Sequence, residues 1–329
     1  MSSPVYLSSS PHIASGASTE QIMRQVIFAL LPACAVAVYL FGLPALATLL
    51  ICTLGCVAFE VACQKLMKRP LTIQDGSAAL TGILLAMNLP PSSPWWMSLF
   101  GAFVAIVIAK QVYGGLGCNP FNPALVARVV LLISFPVQMT SWTRPAPLGS
   151  AIDAVTTATP LGRAKEAVML HGALPADLQA GFLGYFLGDS GGSLGEVSAF
   201  ALLLGAGYLL RKKVITWHVP VAYLGTVVLL SGAFWLVDPG RYPDPVFHLL
   251  TGGLMLGAFF MATDMVTTPV TSRGMLVFGA GCGLLTVLIR LFGGYPEGVS
   301  FAILLMNAAT PLIDRYLKPK KFGLVTEKG

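Results

Sequence analysis

Long apolar runs dominate this chain, and charged side chains interrupt them rarely. Only 10 % of its 329 residues are charged, against roughly 25 % in an average soluble domain. Hydrophobic residues make up 55 % of the chain, and the mean hydropathy is +0.77. A soluble fold cannot cover that much apolar surface with so few charged groups. The composition therefore excludes a soluble enzyme, a disordered protein and a nucleic-acid-binding protein, and it predicts an all-α polytopic membrane protein.

Ten segments are candidate membrane spans, each of which needs roughly 20 mainly apolar residues. The third, fifth and sixth are short, and Arg128 lies inside the fifth. We therefore predict ten transmembrane helices, at residues 23–42, 44–64, 76–90, 95–113, 124–138, 196–210, 217–237, 246–263, 274–292 and 298–314.

The distribution of basic residues supports this number of spans. If the N-terminus is cytoplasmic and the spans alternate, 15 of the 20 Lys and Arg residues fall on the inner side. Loss of the fifth span would move the basic run at 211–213 to the outside, which the positive-inside rule disfavours. We therefore predict that both termini are cytoplasmic and that the basic excess orients the chain.

This topology divides the chain into five parts. A cytoplasmic N-terminal segment (1–22) precedes a first five-helix membrane half (23–138). A long loop on the outer side (139–195) leads to a second five-helix half (196–314) and a cytoplasmic tail (315–329). The polar, Ser-rich start of the chain does not resemble a cleaved signal peptide, so the first apolar run is expected to remain as a span.

Short matches between the two halves favour an inverted repeat of five plus five helices. Leu80-Thr81-Gly82 opens the third span and Leu250-Thr251-Gly252 the eighth, while Gly pairs follow both the fourth and the ninth. Because the matched spans are five apart, an odd number, the two halves face opposite ways across the membrane. The interface of such a repeat commonly holds a ligand. The alternative is that these small residues serve only close helix packing.

The outer loop contains one position with two interpretations. Thr159 precedes Pro160, which opens a helical pattern that Gly172 ends, so Thr159 is predicted to be the N-cap and Pro160 the first helical residue. The same position suits an anion, because free N–H groups and the positive end of the helix dipole converge there. Arg163 and Lys165 lie within two turns and can add countercharge.

The cysteines and histidines do not form a metal motif. None of the six cysteines belongs to a Cys-x-x-Cys pair, and four lie in apolar runs, where they serve as small buried residues. An iron–sulfur cluster held by one chain needs four converging thiolates, and the cysteine spacing here offers no such set. A site shared with another chain through Cys118 is the remaining alternative. The four histidines are scattered, and no phosphate-binding loop or dinucleotide fingerprint is present.

One stretch of the loop resembles a flavin-attachment motif. Asp153-x-x-Thr156-Thr157-Ala158-Thr159 is similar to Asp-x-x-Ser/Thr-Gly-Ala-Thr/Ser, with Thr157 in place of the usual Gly. Nearly the whole chain resembles the D subunits of the Rnf electron-transport complex, also called ion-translocating oxidoreductase complex. It is more distantly similar to the B subunits of the sodium-translocating NADH:quinone reductase. The resemblance includes GCNPFNP at 117–123 and MATDMVTTP at 261–269.

This resemblance implies a cofactor and a role. FMN is expected to be joined through its phosphate to Thr159, with Asp153, Thr156 and Ala158 as the motif around it and Arg163 and Lys165 as countercharge. The chain would relay electrons without being catalytic alone, in a complex that couples electron transfer between ferredoxin and NAD to sodium or proton transport.

The resemblance also implies partners and a location. The partners are a second flavin-bearing subunit and iron–sulfur subunits, and NAD is expected to bind a partner. The location is the bacterial cytoplasmic (inner) membrane, with the flavin loop in the periplasm. A second, non-covalent flavin, riboflavin, is expected near the third and eighth spans.

Two other functions fit the pattern of apolar runs. One is an inverted-repeat transporter or channel for a small polar solute with no redox role, and the other is a scaffold that only anchors partners. The carboxylates Glu60 and Asp264 lie near predicted span ends, which favours paired rim residues over an ion path. For Asp264, the family resemblance of the surrounding residues favours a functional role. Detection of a covalently bound flavin would separate the electron-relay function from the transporter and the scaffold.

Overall fold

The computed structural model describes residues 18–145, 156–175, 178, 181–188 and 190–318. The predicted N-terminal segment and C-terminal tail fall mostly outside these ranges, and Asp153 lies outside them as well. The regular elements among the described residues are helices apart from one two-stranded ribbon.

The first apolar region forms closely spaced helices. Ser18 caps the first of them, since its side chain accepts a hydrogen bond from the Gln21 N–H at 3.2 Å, and the Gln21 side chain accepts one from the Ser18 N–H. The fourth helix continues without a break into a π-helical segment, Val104–Gln111. The elements of this region are α1 (Thr19–Phe41), α2 (Leu43–Leu66), α3 (Ser77–Met87), α4 (Trp95–Phe103) and α5 (Pro123–Ser134).

Shorter elements follow before the second apolar region. The two strands pair antiparallel, with Trp142 opposite Thr157 and Thr143 opposite Thr156. This pairing brings the attachment motif back to the end of the first apolar region. The elements are α6 (Pro136–Met139), β1 (Trp142–Thr143), β2 (Thr156–Thr157), α7 (Pro160–His171) and α8 (Phe182–Leu187).

The second apolar region contains one broken span. The sequence predicts a continuous helix at residues 246–263, but two short helices meet at Gly252, whose φ of +70° is in the left-handed region that favours glycine. A second π-helical segment, Gly257–Met261, follows the break. The elements are α9 (Ala199–Arg211), α10 (His218–Val237), α11 (Pro245–Leu250), α12 (Leu254–Leu256), α13 (Ser272–Phe292) and α14 (Val299–Tyr316).

The lengths of these helices fit a helical membrane protein. Among the described helices, α1, α2, α10 and α13 are long and apolar enough to cross a membrane by length and composition. Shorter apolar helices include α3, α4 with its π-helical extension, α5 and α9. The predicted fifth span is interrupted where Phe135 leaves the helical conformation and Pro136 opens α6.

Glycines bring the main helix pairs into backbone contact. A Cβ placed on Gly82 of α3 would lie 2.7 Å from the Cys52 carbonyl oxygen of α2, and one on Gly279 of α13 would lie 2.7 Å from the Val219 carbonyl oxygen of α10. α2 packs on α3 and α4, and α10 packs on α11 and α13. α1 packs on α9, and α5 on α14, so a single apolar core runs through both regions.

A smaller apolar cluster attaches α7 to this body. Leu161 and Ala164 of α7 pack with Tyr185 of α8 and Phe247 of α11. Because Leu161 follows Thr159 by two residues, this cluster fixes the start of α7 against the second apolar region.

Candidate functional site

Thr159 occupies the position from which α7 begins. Its backbone is extended (φ −63°, ψ 154°), and its Oγ1 accepts a hydrogen bond from the Gly162 N–H at 3.0 Å. Pro160 takes the first helical position, where a missing N–H costs nothing. The predicted N-cap is therefore confirmed, whereas covalent attachment stays a prediction.

Thr159 is 4 % exposed and lies on the wall of a cleft. We call this the Thr159 cleft. It has a volume of about 200 Å³ and is also lined by Arg128 of α5 and by Glu297 of the loop between α13 and α14. The other lining residues are Leu132, Met139, Thr140, Trp142, Ala158, Gly162, Glu166, Tyr295 and Pro296.

A larger cleft adjoins it on the other side of the motif. We call this the arginine cleft, because Arg144 and Arg163 both line it and both are exposed. Its volume of about 640 Å³ falls within the roughly 300–1,000 Å³ usual for cofactor sites. Ala158 borders both clefts. The remaining lining residues are Pro145, Thr157, Pro160, Gly181, Gly184, Tyr185, Ser190 and Gly191.

Thr157, which replaces the usual glycine of the attachment motif, fits because glycine stands opposite it. A Cβ on Gly191 would lie 2.5 Å from the Thr157 Oγ1. That hydroxyl is buried and has no hydrogen-bond partner among the described residues. A β-branched side chain is thus accommodated on the wall of the arginine cleft.

The structure brings some of the predicted site residues together and separates one. Thr156 contributes its backbone to β2, and Arg163 turns into the arginine cleft. Lys165 lines neither cleft. Its Nζ donates to the carbonyl oxygens of Gly293 and Tyr295, the latter at 3.0 Å, and burial lowers the pKa of this ammonium group. Lys165 therefore anchors α7 to the loop between α13 and α14.

Sequence reasoning missed the partners of Arg128. Its guanidinium donates to the Asn88 side-chain oxygen at 2.7 Å and to Glu297, and Glu196 lies 3.7 Å away. Ser193 donates to Glu196 at 2.7 Å. These residues come from segments far apart in sequence, so only the unusual arginine inside an apolar run could have indicated the network.

A second buried polar cluster lies between α2, α3 and the π-helical segment that continues α4. Lys110 Nζ lies 2.8 Å from Glu60 and 2.7 Å from the Ser77 hydroxyl, and Gln111 also donates to Glu60 at 2.7 Å. The prediction that Glu60 is paired is confirmed, but the predicted rim position is wrong, because Glu60 is 1 % exposed and pairs with the buried Lys110.

Next to this cluster is a pocket between α3 and the π-helical segment after α12. We call it the half-helix pocket. Its volume is about 90 Å³. Its polar lining residues include Lys110, Asn119, Asn122 and Asp264.

The geometry around Thr159 has the chemistry of an anion site. A phosphate on the Thr159 oxygen would face the first-turn N–H groups of α7 and the positive end of its dipole. The two guanidinium groups of the arginine cleft match phosphate oxygens in shape and charge. Across the described residues, no group of three or more His, Cys, Asp or Glu side chains converges as a metal site, and Cys118 is an exposed free thiol.

Comparison with known proteins identifies the family. The model of the NQR2, RnfD, RnfE family matches residues 6–323. The chain is 50 % identical over 324 residues to the D subunit of the Na(+)-translocating ferredoxin:NAD(+) oxidoreductase complex of Acetobacterium woodii, covering 98 % of this chain and 96 % of that protein. It is 48 % identical over 325 residues to the D subunit of the proton-translocating ferredoxin:NAD(+) oxidoreductase complex of Clostridium ljungdahlii, covering 96 % of each chain.

A third relative agrees with these two. The D subunit of the ion-translocating oxidoreductase complex of Halorhodospira halophila is 44 % identical over 337 residues, covering 95 % of this chain and 94 % of that protein. The match extends through both apolar regions and the segment between them. This chain therefore belongs to the NQR2, RnfD, RnfE family, as the resemblance of its sequence indicated.

Proposed function

We propose that this protein carries FMN joined through phosphate to Thr159 and relays electrons within a redox-driven ion-translocating complex. The observation that carries the proposal is the position of the Thr159 hydroxyl. It lies at the start of α7, on a cleft wall, beside a cofactor-sized cleft lined by two arginines. Family membership supplies the class of complex.

The names of the relatives support the role in a complex. They describe subunits of sodium- and proton-translocating ferredoxin:NAD(+) oxidoreductases. We extend that description to this chain, with sodium or protons as the transported ion. Its partners are then iron–sulfur subunits and a second flavin-bearing subunit, which receive or deliver the electrons.

The side chains around Thr159 have separate tasks in this proposal. Arg144 and Arg163 compensate the charge of the phosphodiester, and the Thr157 hydroxyl offers a hydrogen bond inside the arginine cleft. FMN, when attached, supplies reversible electron uptake, while the protein positions it and tunes its electronic environment. The ester linkage retains the cofactor through repeated oxidation and reduction.

The proposed topology has ten spans related by a five-plus-five inverted repeat. Its support is that α2 packs on α3 and α4 in the first half as α10 packs on α11 and α13 in the second. Both termini then face the cytoplasm, and residues 139–195 form a periplasmic loop of the inner membrane. Single cysteines at Arg163 and Arg211, in a chain with its native cysteines replaced, test this. A membrane-impermeant maleimide added to intact cells should label the first and spare the second.

The attachment site is tested with substitutions that separate the hydroxyl from the helix cap. Thr159→Ser keeps both the hydroxyl and the cap, whereas Thr159→Asn keeps a good cap but has no hydroxyl. After coexpression with a flavin transferase, the unmodified chain and Thr159→Ser should give a fluorescent band in a denaturing gel, and Thr159→Asn should give none.

The opposite result contradicts the proposal. A band in Thr159→Asn would move attachment elsewhere, with Thr156 and Thr157 as the candidates to distinguish by mass spectrometry of the loop peptide. No band in the unmodified chain, purified from its native complex, would leave the transporter and the scaffold as the remaining functions.

We also propose riboflavin for the half-helix pocket. Asn119, Asn122 and Asp264 can hydrogen-bond a flavin ring there. The volume of about 90 Å³ is below the roughly 300–1,000 Å³ of a cofactor site, so the pocket must widen to admit it. Acid extraction of the purified complex, followed by chromatography, should release riboflavin while FMN stays on the protein.

A further inference from the structure

We propose that a pocket beneath α7 binds the anionic headgroup of a membrane phospholipid. We call it the α7 pocket. It lies between α7, α11 and α13, shares Pro296 with the Thr159 cleft and no residue with the arginine cleft, and its volume is about 110 Å³. That is several times the volume of a single water molecule. Four of its lining residues carry the argument: Lys165, Arg241, His248 and Arg290.

Arg290 provides a buried positive charge with neutral partners. It is 4 % exposed, and its terminal nitrogens donate to the carbonyl oxygens of His248 at 2.7 Å and Thr251 at 3.0 Å. Glu196 and Glu297 act on it electrostatically, yet within the described parts of the chain no carboxylate approaches it within 4 Å. Its Nε has no partner there either. A buried guanidinium whose hydrogen-bond partners are neutral carbonyl groups is stabilised by an anion.

His248 adds a second unfilled donor. Its Nδ1 lies 3.5 Å from an Arg290 terminal nitrogen, and because a guanidinium can only donate, this Nδ1 accepts. In the neutral tautomer that this contact favours, the ring proton is on Nε2. That atom is buried and has no hydrogen-bond partner in the described structure. Together with the Arg290 Nε, it leaves two donors unpaired at one pocket, a pattern that a phosphate oxygen satisfies.

The mouth of the pocket points to a lipid as the source of that phosphate. Arg241 is exposed there, over the ring of Tyr242, and Lys165 is half-buried nearby. Two large apolar side chains next to these cations are also exposed, Met169 by 72 % and Phe292 by 63 %. Basic groups beside an exposed apolar surface fit a phospholipid, whose headgroup enters the pocket while its acyl chains cover the apolar rim.

The proposed lipid would hold α7 in place. α7 contributes Leu161, Ala164 and Lys165 to one wall, while α13 contributes Arg290 and Phe292 to the other. A headgroup between them bridges the helix that begins at Thr159 and the membrane-helix body. We therefore expect an anionic lipid to stabilise the folded chain, whether or not flavin is attached.

The experiment uses the full-length chain purified in detergent and depleted of lipid. Thermal unfolding is measured with added phosphatidylglycerol, phosphatidylcholine or inorganic phosphate, and native mass spectrometry counts the retained lipid. Phosphatidylglycerol should raise the unfolding temperature, and the other two should not. Arg241→Gln should lower the apparent affinity for phosphatidylglycerol about fivefold, the effect of one basic residue near a lipid headgroup.

Arg211→Gln is the matched control, because Arg211 is an exposed arginine at the end of α9 and does not line the pocket. It should leave the affinity unchanged. Three results would overturn the proposal. They are equal stabilisation by phosphatidylcholine, stabilisation by inorganic phosphate that matches the lipid, or an equal loss of affinity in Arg241→Gln and Arg211→Gln.

Discussion

Lys110 Nζ lies 2.8 Å from Glu60 Oε1, and each of the two side chains is 2 % exposed. Glu60 belongs to α2, whereas Lys110 belongs to the π-helical segment that continues α4. The hydroxyl of Ser77, at the start of α3, also accepts a hydrogen bond from Lys110. The ion pair and the hydrogen bond from Lys110 to Ser77 therefore join three helices of the first apolar region at one buried point.

Breaking this pair is expected to destabilise the chain strongly. Lys110→Met leaves Glu60 as a buried charge without its counterion, which lowers the free energy of unfolding by about 3–5 kcal/mol. The double variant Lys110→Met/Glu60→Leu removes both charges and should recover most of the loss. Reversible unfolding in mixed detergent micelles measures both. A double variant as unstable as the single one would show that the pair matters through its geometry and not through its charges.

The contact between α1 and α9 gives a second prediction. A Cβ on Gly205 would overlap the Ala29 carbonyl oxygen, whereas one on Gly207 meets nothing within 4 Å. Gly205→Ala should therefore separate the helices and lower the free energy of unfolding by roughly 1–3 kcal/mol. Gly207→Ala, in the same helix, should be neutral or stabilising by up to about 1 kcal/mol. Equal effects of the two substitutions would contradict the packing described for α1 and α9.

Local features of the candidate site could be predicted from the sequence. The Thr-Pro pair with Gly172 beyond it predicts the cap and both ends of α7, because capping depends on residues a few positions apart. The clefts could not be predicted in this way. They require pairing of Trp142 with Thr157, and the approach of Arg128 to Glu297, across 169 positions of sequence.

The spans also include features that the sequence predicts and one that it does not. Long apolar runs locate the helices α2, α10 and α13 well, because length and composition are enough. It does not locate the break at Gly252, whose left-handed backbone allows close approach to Leu161 and Arg290. Hydropathy averages over such a break, so the sequence predicts residues 246–263 as one span.

Asp264 is expected to make stability depend on pH. It lies just past the eighth predicted span, and burial raises the pKa of its carboxyl, only partly offset by hydrogen bonds from the Val266 N–H and the Thr267 hydroxyl. The folded chain therefore holds this proton more tightly than the unfolded chain. Its contribution to stability is complete below the ordinary Asp pKa of about 4 and is lost as the pH rises through the higher folded pKa.

Replacing Asp264 tests this sign. Asp264→Asn should weaken the decrease in unfolding free energy as the pH rises above the ordinary Asp pKa of about 4. Asp238→Asn, at an exposed carboxylate after α10, is measured beside it as the control for loss of one carboxylate. A slope that is unchanged in Asp264→Asn would assign the pH dependence to other groups.

The contact between Thr157 and Gly191 gives the most specific test of the arginine cleft. Gly191→Ala places a methyl group about 2.5 Å from the Thr157 Oγ1, so the wall must move, at a cost of roughly 1–3 kcal/mol. In-gel flavin fluorescence after coexpression with the transferase should decrease together with stability, because the displaced strand carries the residues next to Thr159.

Thr157→Gly alone restores the usual residue of the attachment motif and should retain the fluorescent band. The double variant Thr157→Gly/Gly191→Ala should recover both fluorescence and stability, since the methyl group then occupies space that the threonine has left. Additive losses in the double variant would show that the two positions act independently.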